Sequence, residues 1–214
     1  MNKIELIDCT NDTEIYRLET EPFGTNTYII SCCDSRKAVL IDAPGSADLI
    51  AEKFKDTEVQ FILMTHGHGD HTVALEELHK TLRAPLAVHE GDASMLPIKA
   101  DHLLKDGDLF QCGSDKMEVI HAPGHTSGSL CFKIGKYLIS GDTLFPGGPG
   151  KTGSQKDFKT IMASIKERLL ALPDETVVLP GHGNPTTIGE ERKQIEEFMN
   201  KGYPEDLHGD VTWR

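Results

Sequence analysis

Three histidines and one aspartate fall within seven consecutive residues, directly after an apolar run. The run is Val59–Met64, and the cluster reads Thr65-His66-Gly67-His68-Gly69-Asp70-His71. An apolar run of this length predicts a buried strand, so the cluster belongs to the loop at the strand's end. The two glycines allow a sharp turn, and residues 72–83 then predict a helix with leucines on one face. Imidazole and carboxylate groups are the ligands that zinc and similar ions prefer. The sequence therefore predicts a metal site in this loop.

Three other segments repeat the arrangement of a potential ligand next to glycine, immediately after an apolar strand. They are His121-Ala122-Pro123-Gly124-His125, Ser140-Gly141-Asp142-Thr143 and Leu179-Pro180-Gly181-His182. Each segment alone is typical of an ordinary turn. Together with the histidine cluster, they predict one site built from loops at the ends of several strands.

The order of predicted elements repeats along the 214 residues. Strands and a helix are followed by strands and a second set of helices, which predicts two similar halves packed sheet against sheet, with helices outside. The predicted elements are strands 14–18, 26–30, 38–42, 59–64, 85–89, 116–121, 129–134, 137–140 and 176–179, and helices after Ser46, over 72–83, over 156–170 and after Thr187. Residues 90–107 resist assignment, and the tail 201–214 has no clear pattern. A single domain over 1–214 is expected.

Charge and cysteine content exclude some classes of protein. The chain has 22 basic and 34 acidic residues, a net charge of −12, which argues against a nucleic-acid or anionic membrane partner. Its five cysteines form no Cys-x-x-Cys pair, as expected for reduced thiols in the cytoplasm. The start lacks the apolar core of a signal peptide, and no stretch approaches the ~20 apolar residues of a membrane span. The sequence predicts a soluble cytoplasmic protein.

The order His-x-His-x-Asp-His, then His, Asp and His, resembles the metallo-β-lactamase fold, from about Asn26 to Thr187. The stretch Gly24-Thr25-Asn26-Thr27-Tyr28 also resembles an early strand of that family. The resemblance implies an α+β fold, an αββα sandwich of two mixed sheets packed face to face with helices outside. It implies two divalent ions, zinc first, with iron or manganese as alternatives. By the resemblance, His66, His68 and His125 bind the first ion, Asp70, His71 and His182 bind the second, and Asp142 bridges them.

Two such ions about 3.5–4 Å apart imply hydrolytic chemistry. A hydroxide that bridges them forms near neutral pH and attacks a carbonyl, while the ions stabilise the developing oxyanion. Asp70 is the expected catalytic residue, because a carboxylate beside this water can orient it and shuttle its proton. No serine or cysteine nucleophile is needed.

Within the family, Gly141-Asp142-Thr143-Leu144-Phe145 resembles the hydroxyacylglutathione hydrolase (glyoxalase II) branch. That branch implies a small-molecule substrate, an anionic thioester or ester. Lys151 matches a basic residue that the branch places near glutathione, so it is the expected substrate-binding residue. Thr152 and Gly153 stand where glutathione-binding members have aromatic residues, so glutathione recognition is not carried over. Antibiotic-hydrolysing members of the commonest subclass carry cysteine in place of Asp142, which disfavours that activity.

Two alternatives remain open from the sequence. The first is a persulfide dioxygenase of the same fold, which uses one iron held by two histidines and a carboxylate. His66, His125 and Asp142 could supply that triad. The second is a metal-binding protein without catalytic activity. Bound iron with oxygen uptake would separate the dioxygenase from the hydrolase, and oligomeric state is left open.

Overall fold

Seven strands form the first sheet in chain order. The computed structural model describes residues 4–10, 13–112 and 115–213. The strands are β1 Glu5–Thr10, β2 Thr13–Thr20, β3 Thr25–Cys32, β4 Lys37–Ile41, β5 Glu58–Leu63, β6 Leu86–His89 and β7 His102–Leu104. Neighbours pair antiparallel from β1 to β4 and parallel from β4 to β7, so the sheet is mixed.

Six further strands form the second sheet. They are β8 Leu109–Cys112, β9 Asp115–His121, β10 Leu130–Ile134, β11 Tyr137–Gly141, β14 Val177–Pro180 and β15 Thr186–Thr187. Their spatial order is β15-β14-β11-β10-β9-β8, and the β11–β14 pair is parallel whereas the others are antiparallel. Between β11 and β14, the strands β12 Leu144–Phe145 and β13 Gly148–Pro149 form a separate short hairpin.

The helices lie on the outer faces of the two sheets. They are α1 Ala47–Lys53, α2 Gly69–Thr72, α3 Leu75–Leu82, α4 Gln155–Ser164 and α5 Ile188–Lys201, with a 3₁₀ helix at Glu90–Met95 and a π-helical turn at Ile165–Leu169. Helices α1 and α3 pack on the first sheet, and α4 and α5 on the second. None of the helices in the described ranges is long and apolar enough to cross a membrane.

Side chains along one strand alternate between the two faces of its sheet, so a single strand contributes both to the core between the sheets and to the core beneath the helices. Tyr28 and Ile30 of β3 point between the sheets, where they share a core with Phe132 of the second sheet. Ile29 points the other way and packs with Ile50 of α1. Because both faces of the strand are covered, its side chains are buried on both sides, which explains the continuous apolar runs in the sequence. The predicted αββα sandwich of two mixed sheets with helices outside is confirmed.

Local structure differs from the prediction at a few places. The helix predicted over 72–83 begins later, as α3 at Leu75, and the short α2 precedes it and ends at Thr72. The two are separate because Ala74 donates its backbone N–H to Ala43 O and His71 O accepts from the Ala43 N–H. These bonds to the end of β4 replace helical ones. Ser46 precedes α1 in a left-handed conformation and makes no side-chain cap, whereas Thr187 caps α5 as predicted. Six short or edge strands were not predicted from the sequence: β1, β7, β8, β12, β13 and β15.

Candidate metal centre

Four strands of the two sheets end at the same edge of the sandwich. The loops after β5, β9, β11 and β14 carry the potential ligands, and the structure brings all seven side chains together. Their ligand atoms form three groups in which every pair lies within 4.8 Å: His66, His68 and His125; His66, His71 and Asp142; and Asp70, His71 and His182. Asp142 shares a group with one histidine from each of the outer groups. The arrangement therefore has two ends and a carboxylate between them.

Three polar atoms at this centre are buried without a hydrogen bond. Within the described part of the chain, His66 Nε2, His71 Nε2 and Asp142 Oδ1 have no hydrogen-bond partner. The last two lie 3.3 Å apart. Leaving a buried polar atom unpaired costs about 1–3 kcal/mol, so three converging atoms of this kind need another explanation. Two imidazole nitrogens and a carboxylate oxygen are suitable donors for a divalent cation of the zinc type, and the residues present fit such an ion.

A buried carboxylate orients the ring of His71. Asp42 Oδ2 lies 2.8 Å from His71 Nδ1 and accepts from Thr65 Oγ1, while Asp42 Oδ1 accepts from the Thr65 N–H. With Nδ1 held by Asp42, Nε2 of His71 is directed at Asp142. Burial lowers the pKa of His71, but the charges of Asp42 and Asp142 outweigh it and raise the pKa to about 10.

The other groups differ in charge according to their surroundings. Burial, and then the neighbouring His71, holds the pKa of His66 well below its usual value, so this ring is neutral as a metal ligand must be. The hydrogen bond from His182 Nε2, 3.1 Å from Asp70 Oδ2, lowers the pKa of Asp70 to about 2 against the effect of burial. Asp70 is therefore a carboxylate throughout the physiological pH range.

Asp92 joins the two loops that carry the first group of histidines. Its fully buried carboxylate accepts from the Gly67 N–H at 2.9 Å, the Gly128 N–H at 2.8 Å and Thr126 Oγ1 at 2.7 Å. Gly67 lies between His66 and His68, and Thr126 follows His125. One side chain thus fixes the separation of these two loops. Sequence reasoning missed Asp92, which lies in the unassigned segment 90–107.

The early strand β3 holds the loop of His182. Asn26 donates from Nδ2 to the carbonyl oxygens of Pro180 and Gly183, and Tyr28 Oη donates to Pro180 O at 2.7 Å. Next to His182, a Cβ on Gly181 would lie within 3 Å of Asp142 Oδ1 and His71 Cε1, so a larger residue here would displace ligand side chains of the centre. The sequence Gly24–Tyr28 therefore serves the candidate centre by positioning a loop of the opposite sheet.

A cavity of about 430 Å³ opens beside the candidate centre. Its lining includes His125, Asp142 and His182 of the candidate centre, together with Lys151, which the sequence predicts to be a substrate-binding residue. The Lys151 carbonyl oxygen also lies 2.8 Å from His125 Nδ1. Two parts of the lining were not predicted: the β12–β13 hairpin and the segment Asp210–Thr212 from the tail.

Comparisons with known proteins agree with this geometry. The profile of the metallo-beta-lactamase superfamily matches residues 20–182. The chain is 32% identical over 190 residues to hydroxyacylglutathione hydrolase GloC from Haemophilus influenzae, covering 78% of this chain and 90% of that protein.

Two solved structures with a similar fold have about the same sequence identity to this chain as the GloC relative has. The BLEG-1 B3 metallo-beta-lactamase is 31% identical with a TM-score of 0.75, covering 84% of this chain and 96% of its own. ETHE1 from Myxococcus xanthus is 29% identical with a TM-score of 0.74, covering 84% and 81%. With its fold, its convergent histidines and aspartates and a matching profile over most of its length, this chain belongs to the metallo-beta-lactamase superfamily of metallo-hydrolases.

Proposed function

We propose that this chain is a binuclear metal-dependent hydrolase of thioesters or related esters, similar to glyoxalase II. The observation that carries the proposal is the convergence of seven ligand side chains, three of them with unpaired buried atoms, beside a cavity that His125, Asp142 and His182 help to line. The name of the GloC relative supports a thioester as the substrate class. Zinc is the expected metal, and iron and manganese compete for the same donors.

The three groups of ligand atoms suggest how two ions would be divided. His66, His68 and His125 would hold one ion, and Asp70, His71 and His182 the other, with Asp142 shared between them. When bound, divalent ions of this kind lower the pKa of water and polarise a carbonyl group. Asp42 keeps Nε2 of His71 directed at the centre, and the Lys151 carbonyl does the same for Nε2 of His125.

Asp70 is the proposed catalytic proton carrier. Its carboxylate is ionised and partly exposed, and Oδ2 lies 3.1 Å from His182 Nε2, so a proton accepted there can be handed on toward solvent. Lys151 is the proposed contact for a negatively charged part of the substrate, because it is an exposed lysine that lines the same cavity as Asp142. Both assignments depend on the hydrolytic role of the centre.

A persulfide dioxygenase is the second candidate. It is favoured by the similarity of the fold to that of ETHE1 from Myxococcus xanthus. The triad that it would need is His66, His125 and Asp142. In this structure His66 belongs both to the first group, with His125, and to the middle group, with Asp142, and His125 Nε2 lies 3.6 Å from Asp142 Oδ2. The hydrolase uses all three groups, so we rank it first.

Metal content and turnover, measured on one sample, test the proposal. Elemental analysis should find about two ions per chain, and the same sample should hydrolyse S-lactoylglutathione or a simpler thioester, with loss of activity in a chelator and recovery with zinc. A β-lactam belongs in the assay because a structural neighbour is named a B3 metallo-beta-lactamase. One iron per chain with oxygen consumed on a persulfide would replace the hydrolase by the dioxygenase. Bound metal without any turnover would leave a binding protein.

The substitution Asp142→Ala tests the shared carboxylate. We expect kcat/KM to fall roughly 1,000-fold or more and the metal content to drop, because the variant loses the carboxylate placed between the two outer sets of ligands. Circular dichroism should stay unchanged, since Asp142 lies in a loop. Asp206→Ala, an exposed carboxylate in the tail, is the control. Normal turnover in Asp142→Ala would contradict a two-metal mechanism.

A further inference from the structure

The segment Gly209–Trp213 forms one wall of the cavity. Backbone hydrogen bonds hold both ends of this segment. One end is bonded to Thr152, which follows the β12–β13 hairpin, and the other is bonded to Gly147 in the loop of the hairpin. The Thr152 N–H donates to Gly209 O at 3.0 Å, and the Gly209 N–H donates to Thr152 O at 3.1 Å. At the other end, the Trp213 N–H donates to Gly147 O at 2.8 Å. The segment is therefore an integral part of the site, although its sequence carries no recognisable pattern.

A buried carboxylate locks this wall in place. Glu191 of α5 is fully buried, and its Oε2 accepts from the Gly147 N–H at 2.9 Å and from Trp213 Nε1 at 3.0 Å. Its Oε1 accepts from Thr186 Oγ1 at 2.7 Å. One oxygen thus binds both the hairpin loop and the segment that lies against it. Charge-assisted hydrogen bonds of this kind are stronger than neutral ones, so the position of the wall is well determined.

Close packing leaves the wall little freedom to move away from the hairpin. A Cβ on Gly148 would come within 2.5 Å of Val211 O, so the two backbones touch at this glycine. Val211 and Trp213 are buried in the core beneath α4 and α5. Asp210, Val211 and Thr212 all line the cavity, and of these Val211 is buried whereas Asp210 and Thr212 are exposed.

We propose that Gly209–Trp213 is a substrate-selecting wall, in which Asp210 binds a positively charged amine of the substrate. The proposal rests on the hydrolase function proposed above and adds a substrate feature to it. Asp210 supplies an exposed carboxylate at a cavity that also contains Lys151. A carboxylate there favours an ammonium group and repels a second anion, whereas Lys151 does the reverse. The cavity then selects a molecule that carries both charges.

Matched thioesters measure this selection. The probes are the acetyl thioester of 5-aminopentanethiol and the acetyl thioester of its N-acetyl derivative, which differ in one charge. We expect the wild-type protein to prefer the amine about tenfold in kcat/KM, and Asp210→Asn to remove most of that preference through KM. Asp206→Asn, a neighbouring exposed carboxylate that does not line the cavity, should keep the preference. An unchanged ratio in Asp210→Asn would overturn the proposal.

Binding without turnover separates this proposal from the proposed function. The butyl thioethers of the same two thiols cannot be hydrolysed, and calorimetry gives their affinities directly. A preference for the amine that is lost in Asp210→Asn would support the wall even if no thioester were cleaved. Thioester hydrolysis with equal affinity for both thioethers would support the hydrolase and refute the wall. If neither thioether bound, the wall would be refuted as well.

The only tryptophan of the chain, Trp213, reports on the hydrogen bonds by which Glu191 holds the wall. Trp213 is 4% exposed and donates to Glu191, so its fluorescence depends on a docked wall. Glu191→Ala removes the acceptor that the Gly147 N–H and Trp213 Nε1 share, and we expect red-shifted emission, greater quenching by acrylamide and a reduced amine preference. Unchanged fluorescence and preference in a folded Glu191→Ala protein would show that Glu191 does not position the wall.

Discussion

Carboxylates that touch no substrate determine much of the geometry at the candidate centre. Asp42 holds the ring of His71, Asp92 holds the loops of His66–His68 and His125, and Glu191 holds the wall of the cavity. Each is buried, and each accepts two or more hydrogen bonds from residues far away in sequence. Burying a carboxylate costs free energy unless hydrogen bonds satisfy its oxygens. The positions of the donor groups are therefore fixed together with the position of the carboxylate.

Asp92→Asn tests this at the level of a single residue. An amide in place of the carboxylate turns an –NH₂ group toward donors, so we expect a loss of about 1–3 kcal/mol in the free energy of unfolding. We also expect zinc affinity to fall roughly 10- to 100-fold, because the two loops that carry histidines lose their shared acceptor. Denaturant unfolding and zinc titration measure the two effects. Glu90→Gln, an exposed neighbour, is the control, and equal behaviour of the two variants would refute the role of Asp92.

At the scale of elements, the loop after the β12–β13 hairpin serves both the ligands and the cavity. Its residue Lys151 offers its carbonyl oxygen to His125 and also lines the cavity. Mutation can separate these two roles of Lys151, because a substitution changes the side chain and keeps the backbone carbonyl group that supports His125. The hairpin itself is too short to be predicted from an alternating pattern, and it is stabilised by the tail segment that lies against it.

Lys151→Ala tests the side-chain role. We expect KM for an anionic thioester to rise about five- to tenfold and kcat to change less than about twofold, since the substitution removes a binding charge and leaves His125 supported. The increase should shrink in high salt, as charge screening requires. Lys156→Ala, an exposed lysine of α4 outside the cavity, is the control. An unchanged KM would make Lys151 an ordinary surface residue.

For the whole molecule, the core between the sheets keeps the four ligand-bearing strand ends at one edge. Each sheet contributes ligands: β5 leads to the histidine cluster, and β9, β11 and β14 lead to His125, Asp142 and His182. A shift of one sheet over the other would therefore separate the two sources of ligands. The centre depends on packing that lies well away from it.

Phe132→Ala tests that dependence. Phe132 is fully buried in the middle of the inter-sheet core, and its truncation should lower the free energy of unfolding by about 3–5 kcal/mol. Leu109→Ala removes an apolar side chain that is 61% exposed and should cost much less. Urea denaturation of both variants, in protein treated with a chelator, measures the difference without a contribution from bound metal. Equal costs would contradict the central place of this core.

The sequence by itself determined the types of ligand and their order along the chain. Apolar runs mark the strands, glycines mark the turns, and His66–His71, His125, Asp142 and His182 follow them directly. These are local signals, with strand periodicity and ligand chemistry contained within about ten residues. The same signals predicted two sheets with helices outside, whereas the single domain over 1–214 stays a prediction.

Only the tertiary structure decided which distant groups meet. Asp92 binds partners 25 and 36 positions away, and Glu191 binds Gly147 at a separation of 44. A lone acidic residue in a segment without periodicity carries no sign of its partner, because burial and hydrogen bonding arise when strands and loops pack. The structure of the tail could not be predicted from the sequence for the same reason. Gly209–Trp213 takes its conformation from its contacts with the hairpin and α5, and these contacts place it at the wall of the cavity.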